Sequence, residues 1–584
     1  MMSLLRARAH APALSQDGLR ERRHFIRQLC STALLGATGL GSSACSDTAA
    51  SVPELAGAGF LHGVASGDPL PDRVILWTRV TPADPNDGAP IEVQWQMATD
   101  AELRQIVASG SVSTGPDRDY TVKIDAEGLL PGLVYFYRFS TAAFTSPLGR
   151  TKTLPKRNVR QIKLAVFSCA NYPAGYFNVY ADAAKQDDLD AALHIGDYIY
   201  EYDSTGYACA DAVALGRVSE PSNVLMALAD YRRRYAQYRG DPDLQALHAS
   251  VPFITVWDDH EFADDAWHDG ALDHRPERSG PFALRKRAAI QAYHEWLPIR
   301  APDAARPERI YRSFDFGKLV SLHMLDSRII GRDQQLAMAS YIDRDGGFDL
   351  DKFRHDVASP TREMLGQEQM AWLERQVAGS GARWQVLGQQ VLMARMEYPQ
   401  PVLMDDISCA DYVALKQRAL SAPAGLTAAE SACLAAPTVP CYLDSWDGYQ
   451  ANREQLFGIM RRHRKNLVAL AGDTHNAWAS DLHDESGRCI GVEFATASVS
   501  SPGLECSYPD RQPEQVARMM EQLIGPLYYA QTGKRGYMII SASDDEVRAD
   551  WRFVDTVHSR QFSAATERSV RTLAGPGKRG IVEC

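Results

Sequence analysis

Between residues 60 and 153 apolar and polar positions alternate in short runs broken by turn residues, at 74–77, 91–97, 120–124 and 133–139. Alternation with a period of two marks strands buried on one face, so this stretch predicts a small antiparallel β-sandwich. After Thr153 the pattern changes to continuous apolar runs separated by stretches of helical spacing. Strands apolar on both faces belong to sheets covered on both sides, which predicts an α/β domain. Residues 448–462 have helical spacing, and 537–541 and 547–554 read as late strands. The Pro-, Ala- and Cys-rich segment at about 396–447 reads as a loop insertion able to cover a site. The expected organisation is a β-sandwich domain at 55–155, an α/β domain at 160–556 and a polar tail at 557–584 with no assigned element.

The ends of the apolar runs carry the chemistry. Residues 164–167 lead into Ser168-Cys169-Ala170-Asn171, 191–195 into Gly196-Asp197-Tyr198-Ile199-Tyr200, and 252–256 into Trp257-Asp258-Asp259-His260-Glu261. Residues 318–324 lead into Leu325-Asp326-Ser327-Arg328, 384–387 precede Gln389-Gln390, and 466–470 precede Gly472-Asp473-Thr474-His475. Open α/β sheets bind ligands at the carboxyl ends of their strands, so these six ends predict one crevice. His194 and His323 lie inside apolar runs and read as core. In the sandwich, Leu130-Pro131-Gly132-Leu133-Val134-Tyr135 resembles the tyrosine corner of immunoglobulin- and fibronectin-like domains, where the hydroxyl bonds back to the main chain. The charged runs at 232–234 and 461–465 read as solvated helix faces.

Asp197 and Tyr200 stand three residues apart after Gly196, which permits close backbone approach. A carboxylate there can bridge two cations, and a phenolate ligand selects a hard trivalent ion such as Fe(III) over zinc. Asp473 and His475 offer a carboxylate and an imidazole from one strand end. Asp258, Asp259 and His260 add two carboxylates and a second imidazole, and Cys169 can add a thiolate. One ion in such a set is a Lewis acid, and two clamp an oxyanion between them.

Composition narrows the partner. With 45% hydrophobic and 23% charged residues over 584 positions, the chain is that of a globular enzyme. A net charge of −11 repels polyanions, so nucleic acid is not an expected partner. Arg22-Arg23 with Phe25, followed by an uncharged, weakly apolar stretch at 28–44, reads as a twin-arginine export signal over residues 1–45. That stretch is too short and polar to span a bilayer. The expected route is therefore the Tat machinery and the expected location periplasmic or secreted, with Cys45 a candidate lipid anchor. Residues 1–45 carry six Arg and two acids, a net +4, so the remainder is near −15. Export of a folded chain fits a metal loaded before crossing. Cys409, Cys433 and Cys441 share one segment and can supply a disulfide in an oxidising compartment.

In combination, Ser-Cys169-Ala-Asn, Gly-Asp197-Tyr-Ile-Tyr200, Trp-Asp-Asp259-His260-Glu and Gly-Asp473-Thr-His475 resemble the PhoD-type alkaline phosphatases of the calcineurin-like metallophosphoesterase superfamily. Gly63-Val64-Ala65-Ser66-Gly67-Asp68-Pro69, Trp77-Thr78-Arg79, Leu325 to Arg328 and Asp444-Ser445-Trp446-Asp447-Gly448-Tyr449 support the match, which runs from about Phe60 to Val554. The resemblance implies a metallophosphoesterase core of α+β sandwich type behind an all-β immunoglobulin/fibronectin-like domain. It implies a small phosphate ester as substrate and Fe(III) with one or two Ca(II), zinc being the alternative. Cys169, Asp197, Tyr200, Asp473 and His475 are then metal ligands, with Asp197 bridging. The family often has Asn four places after the motif His, where this chain has Asp264, which leaves Asp259, Asp264 or both to complete the second metal site. His260 would contact phosphate or protonate the leaving group, and Arg328 and Asn171 would bind nonbridging oxygens. A metal-bound oxygen would attack phosphorus in line. Three other functions fit parts of the pattern: a phospholipase D-like phosphodiesterase, a zinc hydrolase of another ester, and a noncatalytic surface binding protein.

Overall fold

A computed structural model describes residues 58–584, save 85, 158, 302, 304, 345 and 346. The expected export signal and Cys45 lie outside the described residues. Two mixed sheets pack face to face. The first has ten strands, and at its centre Gln161–Phe167, Ala191–His194 and Phe253–Thr255 run parallel. The second has seven strands, in which Val320–Met324, Trp384–Gly388, Asn466–Ala471 and Cys489–Ala495 are parallel neighbours. Alternation along each strand divides the side chains between two cores. Trp384, Val386, Val468 and Leu470 join the core shared by both sheets, whereas Leu387, Leu467 and Ala469 join a second core with Trp372 and Phe457 of the covering helices. Burial on both faces explains the continuous apolar runs. His194 and His323 are fully buried in these strands, as expected of core residues.

The sandwich is not a separate body. Its strands Ile106–Thr114, Ile91–Ala98, Val134–Ser140 and Gly149–Lys152 form a sheet of their own. Val64–Gly67, Arg73–Arg79 and Thr121–Glu127 instead extend the ten-stranded sheet, where Gly67 pairs with Phe253. A Cβ on Gly67 would lie 2.3 Å from the Pro298 carbonyl oxygen, so only glycine fits this seam. Asp68 then accepts from Arg312 Nε at 2.9 Å and from the Arg300 backbone N–H at 2.7 Å. The Gly63 to Pro69 motif is thus a junction between the all-β domain and the second-sheet edge. The tyrosine corner forms: Tyr135 Oη accepts from the Leu130 backbone N–H at 2.8 Å. Tyr135→Phe is expected to lower stability by about 1 kcal/mol, the net worth of one such bond, with turnover per folded molecule unchanged. Chemical denaturation beside a steady-state assay checks both halves.

Two expectations need correction. The presumed tail contributes strands Ala564–Leu573 and Ile581–Glu583 at the edge of the ten-stranded sheet. Strands at the margin of a sheet with most of their length in water read as polar, which hid them. The 396–447 insertion is not a loop but a small packed unit with helices Cys409–Ser421 and Ala428–Leu434, closed at its neck by paired strands Glu397–Pro399 and Thr438–Pro440. Its core includes Val402, Tyr412 and Val439 and packs on helix Pro513–Leu523. Cys409 and Cys433 carry free thiols, so no bridge joins the cysteine trio here.

Candidate metal centre

The parallel strands of both sheets deliver their carboxyl ends to one place. Glycine makes this possible: a Cβ on Gly196 would lie 2.3 Å from Asp258 Cβ, and one on Gly472 2.7 Å from Ser168 Cβ. Cys169, Asp197, Asp473 and His475 all adopt left-handed backbone, with φ of 61°, 55°, 62° and 61°. Such conformations cost about 1–3 kcal/mol each and concentrate where geometry serves function.

Ligand atoms of Cys169, Asp197 and His475 lie within 4.8 Å of one another, as do those of Asp197, Asp259 and His260, of Asp258, Asp259 and Asp473, and of Asp259, Asp264 and Asp265. Asp197 and Asp259 link these groups into one continuous cluster. Tyr200 belongs to the first group: its hydroxyl donates to Asp197 Oδ2 at 3.0 Å, lies 3.1 Å from His475 Nε2 and accepts from Ser501 Oγ at 2.7 Å. His475 Nδ1 lies 2.8 Å from the Pro502 carbonyl, which can only accept, so Nδ1 carries the proton and Nε2 presents its lone pair to the cluster. A metal-binding imidazole is oriented in this way.

Burial, with Asp197 alongside, pushes the Cys169 thiol well up, and it raises Tyr200 likewise. Burial also raises Asp197, against the lowering effect of His260 and with Asp258 and Asp259 adding to the rise, and it pushes His475 down to about 3. Asp197 Oδ1, Asp258 Oδ2 and Asp264 Oδ2 are buried without hydrogen-bond partners. Thiol, phenol, neutral imidazole and unpartnered carboxylate oxygens form a donor set that fits cations of differing hardness, whose charge favours the ionised ligands.

His260 stacks on Tyr200 with ring centroids 4.2 Å apart, and its Nδ1 lies 2.8 Å from Glu201 Oε2. Burial disfavours the imidazolium, but Asp259, Glu201 and Asp197 outweigh it and raise the ring's pKa well above the usual value. Glu261 clamps the backbone, accepting from the N–H groups of Asp197 at 3.1 Å and Asp258 at 2.7 Å.

Arg328 was expected to meet phosphate, yet all three guanidinium nitrogens are committed to carboxylates. Nε donates to Asp258 Oδ1 at 2.5 Å, Nη1 to Asp444 Oδ1 at 2.9 Å and Nη2 to Asp473 Oδ1 at 3.0 Å, with Asp259 Oδ1 at 3.7 Å. Asn171 directs Nδ2 to the Tyr207 carbonyl at 3.3 Å, and its buried Oδ1, an acceptor, has no partner. Arg234 is a further correction, because only 1% of it is exposed where a solvated face was expected. It donates to the carbonyls of Tyr200 and Tyr202 and so holds the loop carrying Tyr200 and Glu201.

Sequence reasoning missed Glu201, Tyr207, Tyr442 and Asp444. Tyr442, at the neck of the insertion, donates to Asp473 Oδ2 at 2.6 Å. Asp444 is anchored by Arg332, Arg328 and Gln335. Glu201 adjoins Tyr200 and was legible by adjacency; Asp444 opens a motif quoted without a role.

A two-sheet core with this cluster of potential ligands at its strand ends points to a phosphoesterase. The family described as PhoD-like phosphatase matches residues 164–551, and the PhoD-like phosphatase N-terminal domain matches residues 46–155. Alkaline phosphatase D of Bacillus subtilis (strain 168) is 33% identical over 578 residues, covering 95% of this chain and 88% of its own. A solved structure of PhoD aligns with a TM-score of 0.72 at 31% identity, covering 91% of this chain and 93% of that one. The chain belongs to the PhoD-like phosphatase family and is a phosphatase enzyme.

Proposed function

We propose that the chain is an exported phosphatase that hydrolyses phosphate mono- and diesters at a centre of one Fe(III) and one or two Ca(II). The observation that carries this reading is the meeting of the Tyr200 hydroxyl with Asp197 and with the lone pair of His475, at 3.0 and 3.1 Å, beside the Cys169 thiol. A phenol, a thiol and an imidazole around a shared carboxylate favour a trivalent iron, and Asp259 with Asp264 and Asp265 favours calcium, which takes several oxygens. Cys169, Asp197, Tyr200 and His475 would hold the iron, with Asp197, Asp259, Asp264 and Asp473 available to calcium. Bound ions would supply positive charge to the phosphoryl oxygens and a deprotonated oxygen nucleophile at neutral pH. Glu201 orients His260 through Nδ1, which leaves Nε2 to deliver a proton to the departing ester oxygen. Arg328 keeps Asp258, Asp259, Asp444 and Asp473 together when no cation is bound. The twin-arginine run supports export to the periplasm or beyond, with Cys45 as a possible acylation point.

Metal analysis with a visible absorption spectrum, on protein recovered from the periplasmic fraction, tests the centre. Iron with calcium and a phenolate-to-iron band are expected, together with turnover of both p-nitrophenyl phosphate and bis-p-nitrophenyl phosphate and its loss on chelation. A colourless, zinc-loaded and fully active enzyme overturns the iron assignment. Recovery from the cytoplasm alone overturns export, and no hydrolysis of the bis ester removes diesters from the substrate range.

A further inference from the structure

We infer that Gln390 is a positioning residue for the phosphatase reaction: its buried amide fixes the spacing between the catalytic groups contributed by the two sheets. Cys169, Asp197, Asp258 and Asp259 follow strands of the ten-stranded sheet, whereas Arg328, Asp473 and His475 follow strands of the seven-stranded one. No strand is shared between these sheets. What holds two packed sheets together is side-chain contact, which is non-directional and resists small sliding weakly. Catalysis tolerates such sliding poorly, since a displacement of about 1 Å costs roughly 100-fold. Directional links across the seam are therefore required: Thr496 Oγ1 donates to the Val166 carbonyl and the Val499 N–H to the Ser168 carbonyl, both at 3.0 Å, on the Cys169 side, and on the Asp258 side the charged link through Arg328 is joined by Gln390.

Gln390 follows strand Trp384–Gly388 in the second sheet and is fully buried. Its Nε2 donates across the seam to the Trp257 carbonyl at 2.8 Å and within its own sheet to the Leu325 carbonyl at 2.9 Å. Its Oε1 accepts from Ser327 twice, from the backbone N–H at 3.0 Å and from Oγ at 2.6 Å. The Gln390 main-chain carbonyl accepts from the Gly472 N–H at 2.7 Å. A primary amide has two N–H groups and two acceptor lone pairs, and all are used here. Flipping the amide would set Oε1 against two carbonyls, so the orientation is determined. Each partner is the immediate chain neighbour of a site residue or lies close before one: Trp257 before Asp258, Ser327 before Arg328, Gly472 before Asp473. The hydrogen bonds of the side chain go to Trp257, Leu325 and Ser327 and not to the ligand atoms. The side chain of neighbouring Gln389 bonds to Val391 and Trp446, neither of them in the ten-stranded sheet, so of the two amides it is Gln390 that crosses the seam.

The assignment holds whichever ions fill the site. Gln390→Met keeps length but removes every side-chain bond, and Gln390→Glu keeps shape but places an acceptor against two carbonyls. Gln385→Met is the control: Gln385 sits in the strand that Gln390 follows, is equally buried and bonds to His323 at 2.9 Å and Ser380 at 3.0 Å, but near the opposite end. With p-nitrophenyl phosphate as probe, both Gln390 variants are expected to lose about 30- to 100-fold in kcat per folded molecule with KM within about twofold, whereas Gln385→Met keeps its kcat despite a similar loss of thermal stability. Ser327→Ala, which removes one of the four side-chain bonds, should fall between and remains informative if the Gln390 variants do not fold. The proposal is overturned if kcat per folded molecule survives in Gln390→Met, if Gln385→Met loses as much, or if Ser327→Ala is unaffected when the Gln390 variants cannot be recovered.

Discussion

Replacing Arg328 with Met is expected to abolish measurable turnover and to destabilise the chelated protein by about 3–5 kcal/mol, the usual cost of removing one partner from a buried charge cluster. The guanidinium is fully buried, and its nitrogens reach Asp258, Asp444, Asp473 and Asp259. Without it, four carboxylates face one another in a medium of low dielectric constant, and only cations or protons relieve the repulsion. The stability loss should therefore be smaller in metal-loaded protein than in chelated protein. Arg328→Lys keeps the charge but not the planar fork, and roughly 100-fold less turnover is expected with part of the stability retained. Urea denaturation with and without chelator, beside turnover of p-nitrophenyl phosphate, measures both effects. A rise in KM alone, with stability intact, would return Arg328 to the phosphate-binding role that its strand end suggested.

Asp197→Asn should behave oppositely in stability. Turnover is expected to fall by about 10³-fold or more, equivalent to at least ~4 kcal/mol of transition-state stabilisation, because Asp197 joins two of the ligand groups. The chelated protein, however, should melt at a higher temperature than the parent. Burial raises the Asp197 carboxyl well above its usual range, with Asp258 and Asp259 adding to the effect, so removing the charge relieves a penalty that only bound cations otherwise offset. Asn also tolerates the left-handed backbone required there, at φ 55°. Thermal melts in chelator separate this outcome from simple misfolding, and activity within tenfold of the parent would remove Asp197 from the centre.

The all-β and α/β character of the two regions was readable because each strand's environment repeats along the chain. Alternation marked one-sided burial before Thr153, and continuous apolar runs marked two-sided burial after it. The elements that were missed had lost that signal. Ala564–Leu573 lies next to the short edge strand Ile581–Glu583 and buries only Val570 and Thr572, and helix Cys409–Ser421 buries only Cys409, Tyr412 and Leu415 among mostly exposed neighbours. Arg234 looked like solvent-facing charge within an arginine run. Its place beside Tyr231, Tyr235 and Tyr238 on the buried side of helix Leu228–Arg239 follows helical spacing that three consecutive arginines obscured.

By itself the sequence determined which strand ends carry chemistry and which donors they offer, because glycine before an acid at the end of an apolar run has few other uses. Cys169, Asp197, Tyr200, Asp259, Asp473 and His475 were legible as donors from local pattern, Asp264 entered through the family resemblance, and the structure gathers them with His260 in one buried cluster. Tertiary structure alone decided how those donors are grouped and what holds them. The carboxylates around Arg328 come from segments as far apart as Asp258 and Asp473, and the amide of Gln390 joins Trp257 to Ser327 across two sheets. Hydrogen bonds and ion pairs depend on distance through space, and residues more than a hundred positions apart leave no local pattern of polarity to announce that they meet.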